Sequence, residues 1–156
     1  MNDAVALREH LLAELDEARQ DLYAAMEGLE PEQEIYPGWT MKHLCAHLAG
    51  WDEAVAAALR AYLGAEEPAT PAVEGINVYN AQSVSTRQYL SLQQVQAECD
   101  LAREQVKTLL RDFPADRLEE SIVFPWGATG SAAQLIAVFV HHEREHAAEI
   151  RDVATP

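Results

Sequence analysis

"HHEREHAAEI", His141 to Ile150, admits two readings that lead to different folds. His142-Glu143-Arg144-Glu145-His146 matches the zinc-protease pattern HExxH letter for letter. The same residues also extend a helical stripe, because Leu135, Phe139, His142 and His146 follow one another at steps of four, three and four. Both imidazoles then lie one turn apart on the inward face of a single helix. A protease needs a further ligand downstream, yet only ten residues follow His146, and Glu149 is merely the next turn of the same helix. Such enzymes also hold peptide along a strand edge, and no strand is expected anywhere in this chain. The helical reading is therefore preferred, with the metalloprotease kept as the weaker alternative.

Working backward, Ser131 with Gln134 forms a capping-box pattern that opens this fourth long helix, which runs to about Val153. The stretch "FPADRLEESIVFPWGATG" before it, with two prolines and two glycines, reads as a loop. Ser91 with Gln94 repeats the capping box and opens a third long helix through Val95, Leu101, Val106, Leu109 and Leu110 to about Asp112. Leu7, Leu11, Leu15, Ala18, Leu22 and Met26 trace the first, from Asp3 to Gly28. Thr40 is a suitable N-cap for the second, whose face of Leu44, His47, Leu48, Trp51, Val55, Ala58 and Tyr62 stops near Gly64. Between the second and third lies a Pro-containing connector, "AEEPATPAVEG", then a short helix over "INVYNAQSVSTRQY".

A composition rich in Leu, Ala, Glu and Gln and poor in Val, Ile and Thr agrees with an all-α fold. At 156 residues, one four-helix bundle domain over residues 1–156 is expected. Acidic residues outnumber basic ones 26 to 11, giving a formal charge of -15 that repels phosphate backbones and anionic lipid. Nucleic acid is thus disfavoured as a partner. Membrane insertion is too, since the longest apolar run, roughly Ala132 to Val140, cannot span a bilayer. With no basic and apolar leader in "MNDAVALREH", the protein is expected in the cytoplasm. Cys45 and Cys99, each inside a helix and far apart in sequence, read as reduced core thiols.

In the bundle, His47 falls between Leu44 and Trp51 and points inward as His142 and His146 do. His10 and His141 sit about a hundred degrees off their stripes, and His43 occupies the exposed first turn of its helix. Burying three imidazoles together without a shared partner is costly, whereas three His around one divalent ion with an open fourth position is a catalytic arrangement. A metal site at His47, His142 and His146 is therefore expected. Such a neutral ligand set leaves a bound ion its Lewis acidity, which serves hydrolysis and thiol transfer equally. Glu143 beside the ligand is the candidate catalytic base or ligand-orienting group. Trp39, Trp51, Tyr79 and Trp126 are aromatics that could wall an apolar pocket, with Asn80 presenting an amide into it; because most bundle aromatics are simply core, only Trp51 and Asn80 are taken as candidates for substrate binding.

The site also sets the topology. His47 lies roughly 10 Å from the start of its helix and His146 roughly 10 Å from the end of its own, so the two match in height only if these helices are antiparallel. That requires up-down-down-up, with Ala65 to Leu90 as a long crossover.

An inward His in "WTMKHLCAHLAGWDE", then "NVYNAQ", then "HHEREHAAEI" near the C-terminus together resemble the DinB/YfiT-like superfamily of metal-binding four-helix bundles. The colibactin self-resistance branch is the most similar, and the mycothiol-dependent maleylpyruvate isomerases are more distant relatives. The resemblance covers nearly the whole chain. It implies a metal triad at His47, His142 and His146, a divalent ion such as zinc or nickel, a possible thiol cofactor, a small-molecule substrate and a homodimer. It also implies thiol S-transferase or hydrolase activity of a detoxifying kind. Where the family pattern ends in H-R-G-Q, this chain reads "HAAEIR". The alternative is a non-catalytic bundle that binds a small molecule or a partner protein.

Overall fold

The structure, a computed structural model, describes residues 2–154. Each long helix begins where a side chain takes over an orphan backbone donor. Asn2 Oδ1 accepts from the Ala4 N–H at 3.0 Å and opens α1, Asp3–Met26. Thr40 precedes α2, Met41–Leu63, and its own N–H donates to His43 Nδ1 at 3.0 Å. His43 is thereby a capping residue. Both predicted capping boxes form, Ser91 with Gln94 at α4, Leu92–Asp112, and Ser131 with Gln134 at α5, Ala132–Ala154. The short α3, Ile76–Ser85, ends earlier than the sequence suggested.

Phe113 to Gly130 departs from the expected plain loop. It contains a 3-10 turn, Ala115–Arg117, and an antiparallel hairpin of β1, Ser121–Val123, and β2, Thr129–Ser131, in which Ile122 faces Gly130. The chain reverses over Phe124 to Gly127, where the Gly127 N–H donates to the Phe124 carbonyl at 2.9 Å and Gly127 adopts φ +94°. Strands of three residues are too short to show a two-residue period, which is why alternation did not reveal them. Among the described residues the architecture is thus five α-helices with a small two-stranded sheet, not helices alone.

Cross-helix pairs record how the long helices meet. Glu14 binds Arg144 at 2.7 Å and Asp21 binds Arg151 at 2.5 Å, so residue numbers rise together along α1 and α5. Between α2 and α5 the order is opposed, with His47 against His142 and Trp51 against Phe139. Opposed order also relates α1 to α4, where Arg103 donates to the Leu15 carbonyl and Arg19 to the Cys99 carbonyl.

The centre of the bundle is charged. Arg19 of α1, Asp52 of α2, Arg103 of α4 and Glu143 of α5 are all buried and joined in one ring of ion pairs. Arg19 donates to Glu143 at 2.5 Å and to Asp52 at 3.0 Å; Arg103 donates to the same two carboxylates at 2.7 and 3.1 Å. Burying four charges is tolerable only because each is paired and hydrogen-bonded. The ring takes one residue from every long helix, so it fixes the register of all four.

The short α3 lies against α2 because Gly50 has no side chain: a Cβ there would stand 2.1 Å from Ser83 Oγ. The Tyr79 hydroxyl donates to the Gly50 carbonyl at 2.5 Å and holds the contact. On the other side, the Ala72 N–H donates to the Pro125 carbonyl at 3.0 Å, so the connector docks on the hairpin turn. Among the described residues no helix is long and apolar enough to cross a membrane.

Candidate metal centre

The three inward histidines meet. His47 Nε2 lies 3.2 Å from His142 Nε2, and His146 Nε2 lies 2.9 Å from the same atom. One ligand nitrogen from each ring falls within 4.8 Å of the others. A tetrahedral ion with bonds of about 2.0–2.1 Å needs ligand nitrogens roughly 3.3 Å apart. The donor set also has the right chemistry. A single Nε2 carries either one hydrogen or one lone pair, so that of His142 cannot fully satisfy two neighbours at once. A divalent cation accepts lone pairs from all three.

Protonation agrees with this role. Burial, reinforced by the neighbouring imidazoles, lowers His47 to about 3. Burial followed by His142 lowers His146 to about 4. His142 is also lowered, mainly by burial. All three rings are neutral near pH 7, the state in which imidazole ligates a metal.

The loop before α2 supplies Trp39 and also Tyr36, which the sequence reading missed. In Tyr36-Pro37-Gly38-Trp39 the Trp39 N–H donates to the Tyr36 carbonyl at 2.8 Å, and Gly38 takes φ +77°. Proline followed by a positive-φ glycine is the signature of a type II turn. The turn carries Trp39 to His47, with ring centroids 5.3 Å apart, and brings the Tyr36 hydroxyl 2.5 Å from His146 Nδ1. With the His146 Nε2 lone pair free for a metal, Nδ1 holds the proton and donates to the Tyr36 oxygen. Burial, then the nearby Glu149 carboxylate, raises the pKa of the phenol. Tyr36 and His146, with Glu149 beside them in the same cavity wall, form a relay in which the phenol fixes the ring orientation and tautomer of His146. "YPGW" was a legible turn signal, but which helix it would face was not.

Two cavities open onto the histidines. One of about 360 Å³ is lined by Tyr36, Trp39, His146 and Glu149. The other, of about 220 Å³, is walled by Trp51, Trp126 and Phe139. His47, His142 and Asn80 border both. Trp51 is buried and its Nε1–H donates to Asn80 Oδ1 at 2.7 Å, leaving the amide NH₂ as the group Asn80 has to offer. Trp126, one of the aromatics the sequence offered as a pocket wall, lines the second cavity.

Glu143 requires a correction. Its carboxylate borders neither cavity; it is wholly buried, with its oxygens held by Arg19 and Arg103. An acceptor engaged by two guanidiniums is unavailable as a base. Being next to a ligand in sequence puts a residue about a hundred degrees around the helix, facing another partner. His10 and His141 are exposed, as expected.

A sequence model of the DinB superfamily matches residues 14–150. The chain belongs to the DinB superfamily. Solved structures share this DinB fold at low sequence identity. A Clostridium difficile 630 protein aligns with TM-score 0.77 and 16% identity, over 93% of this chain and 94% of its own. A Streptococcus pneumoniae protein aligns with TM-score 0.76 and 17% identity, over 93% and 88%. A mycothiol-dependent maleylpyruvate isomerase aligns with TM-score 0.73 and 18% identity over 92% of this chain, which spans only 60% of the isomerase. No curated protein matches the sequence significantly.

Proposed function

We propose that this DinB-superfamily protein is a divalent-metal-dependent enzyme that transforms a small molecule by hydrolysis or thiol transfer, in a detoxifying role. The observation that carries the reading is the convergence of three neutral Nε2 atoms at the junction of two cavities. Zinc or nickel suits this ligand set. Such an ion, when bound, supplies Lewis acidity and lowers the pKa of a water or thiol. The protein's own residues hold the ligands and shape the approach. Tyr36 and Glu149 orient His146, Trp39 covers His47, and Asn80 with Trp51 offers a fixed amide beside the ligands. Substrate binding at Trp51 and Asn80 is part of the proposal. A thiol co-substrate is supported by the fold shared with a mycothiol-dependent enzyme.

The helix pairings support an up-down-down-up course, with residues 65–90 crossing the bundle. Kinship to the colibactin self-resistance branch, a homodimer and a cytoplasmic location complete the reading. The protease alternative loses ground, since the Glu of HExxH is locked in ion pairs.

The test is turnover. Zinc-loaded protein should hydrolyse activated esters or amides, or join a low-molecular-weight thiol to an electrophile, and a chelator should abolish the rate. Stoichiometric retention of ligand without turnover would favour the binding-protein alternative.

A further inference from the structure

We infer that the 220 Å³ cavity is a subsite for an uncharged, planar aromatic body of one or two rings, carrying an oxygen donor that reaches towards the three histidines. The inference rests on the proposed metal centre for the donor but not for the ring.

Size and wall chemistry agree. An apolar cavity of about 150 Å³ holds benzene, so about 220 Å³ takes a substituted ring or a compact bicycle. Trp51 meets Trp126 edge to face with centroids 6.1 Å apart, and Phe139 lies 5.5 Å from Trp51. This aromatic corner presents ring faces and edges together, the geometry another ring favours. Ile76 and Val138 border the mouth while 52% and 44% exposed, an apolar rim that excludes water from an entering ring.

Charge narrows the class further. Among the described residues neither Lys nor Arg lines either cavity. The carboxylate in the neighbouring cavity is Glu149, and the chain as a whole carries -15. A dianionic substrate would find no guanidinium or ammonium to receive a second carboxylate. A neutral ketone, ester or similar group needs none.

The experiment compares two ligands of similar ring size on the zinc-loaded chain: neutral 2-acetylnaphthalene and the dianion naphthalene-2,3-dicarboxylate. Calorimetry with tryptophan fluorescence should show saturable binding of the ketone, at least tenfold tighter than the dianion. Val138→Arg and Ile76→Arg, at the solvent-exposed mouth, should each weaken the ketone at least tenfold while zinc stoichiometry stays unchanged. Equal or tighter binding of the dianion would overturn the proposal, as would undiminished ketone binding in both variants. So would loss of ketone binding that merely accompanies dissociation of a dimer in sedimentation, since the rim would then be a contact between copies. If the wild type takes up no zinc yet binds the ketone with these preferences, the subsite stands and the metal reading falls.

Discussion

Glu143 Oε2 accepts a hydrogen bond from Arg103 Nη2 at 2.7 Å, a contact in the middle of the bundle between side chains that are both buried. One position earlier, His142 faces His47 and His146. The HExxH string is therefore split between two sides of α5, with histidines towards the cavities and glutamate towards the charged ring.

Glu143→Ala should consequently act on stability. Removing one partner leaves two buried guanidiniums short of an acceptor, and breaking such a pair costs about 3–5 kcal/mol. Urea denaturation should show a midpoint lowered accordingly, while the fraction that remains folded binds zinc as before. An unshifted midpoint combined with lost zinc would place Glu143 at the metal instead.

The histidines set a pH dependence for the metal-free protein. In the folded chain His47 titrates at about 3 and His146 at about 4, against 6.5 for an ordinary imidazole. Between those limits the unfolded chain binds more protons, so stability increases with pH and is lost as pH falls below about 6.5. Carboxylates titrate mainly below about pH 5, which leaves the interval above it to the histidines. With a chelator present, the urea midpoint should decline from pH 7 to about pH 5. A midpoint that climbs over this range would mean the rings are charged in the folded state.

Tyr36→Phe and Glu149→Gln should each reduce zinc affinity by about 10–100-fold, the usual cost of losing a group that orients a ligand. Stoichiometry at saturating zinc should be unchanged. Competition titration against a chromophoric chelator measures both, and wild-type affinity in both variants would remove the relay from the account.

The helices and the triad were legible because each rests on local rules. Capping boxes at Ser91 and Ser131 marked helix starts, and steps of three and four placed His47, His142 and His146 on inward faces. Arg19, Asp52 and Arg103 were invisible for the converse reason. Polar residues at core positions look like breaks in a stripe until three other helices supply their partners. Glu143 failed in the same way. Tyr36 and Trp126 sit on loops: the course of the first is set by the turn closed between Tyr36 and Trp39, that of the second by where Pro125 and the connector at Ala72 dock, and no periodicity encodes either.

Gly50→Ala should dislodge α3. The added methyl would stand 2.1 Å from Ser83 Oγ and 2.5 Å from Ser83 Cβ, too close for a side-chain rotation to relieve. A loss of about 1–3 kcal/mol is expected from such overpacking, with a red shift in tryptophan emission as the Trp51 to Asn80 bond opens. The double variant Gly50→Ala with Ser83→Gly should recover both. No recovery would show that α3 is held by something other than this close approach.

Metal content tests the central claim most directly. Elemental analysis of protein purified without chelator should find about one divalent transition ion per chain, consistent with a three-His site. His47→Ala, His142→Ala and His146→Ala should each strip most of it, whereas His43→Ala, which alters only a helix cap, should retain it. Full occupancy in His47→Ala, or a metal-free wild type that takes up no added zinc, would contradict the account.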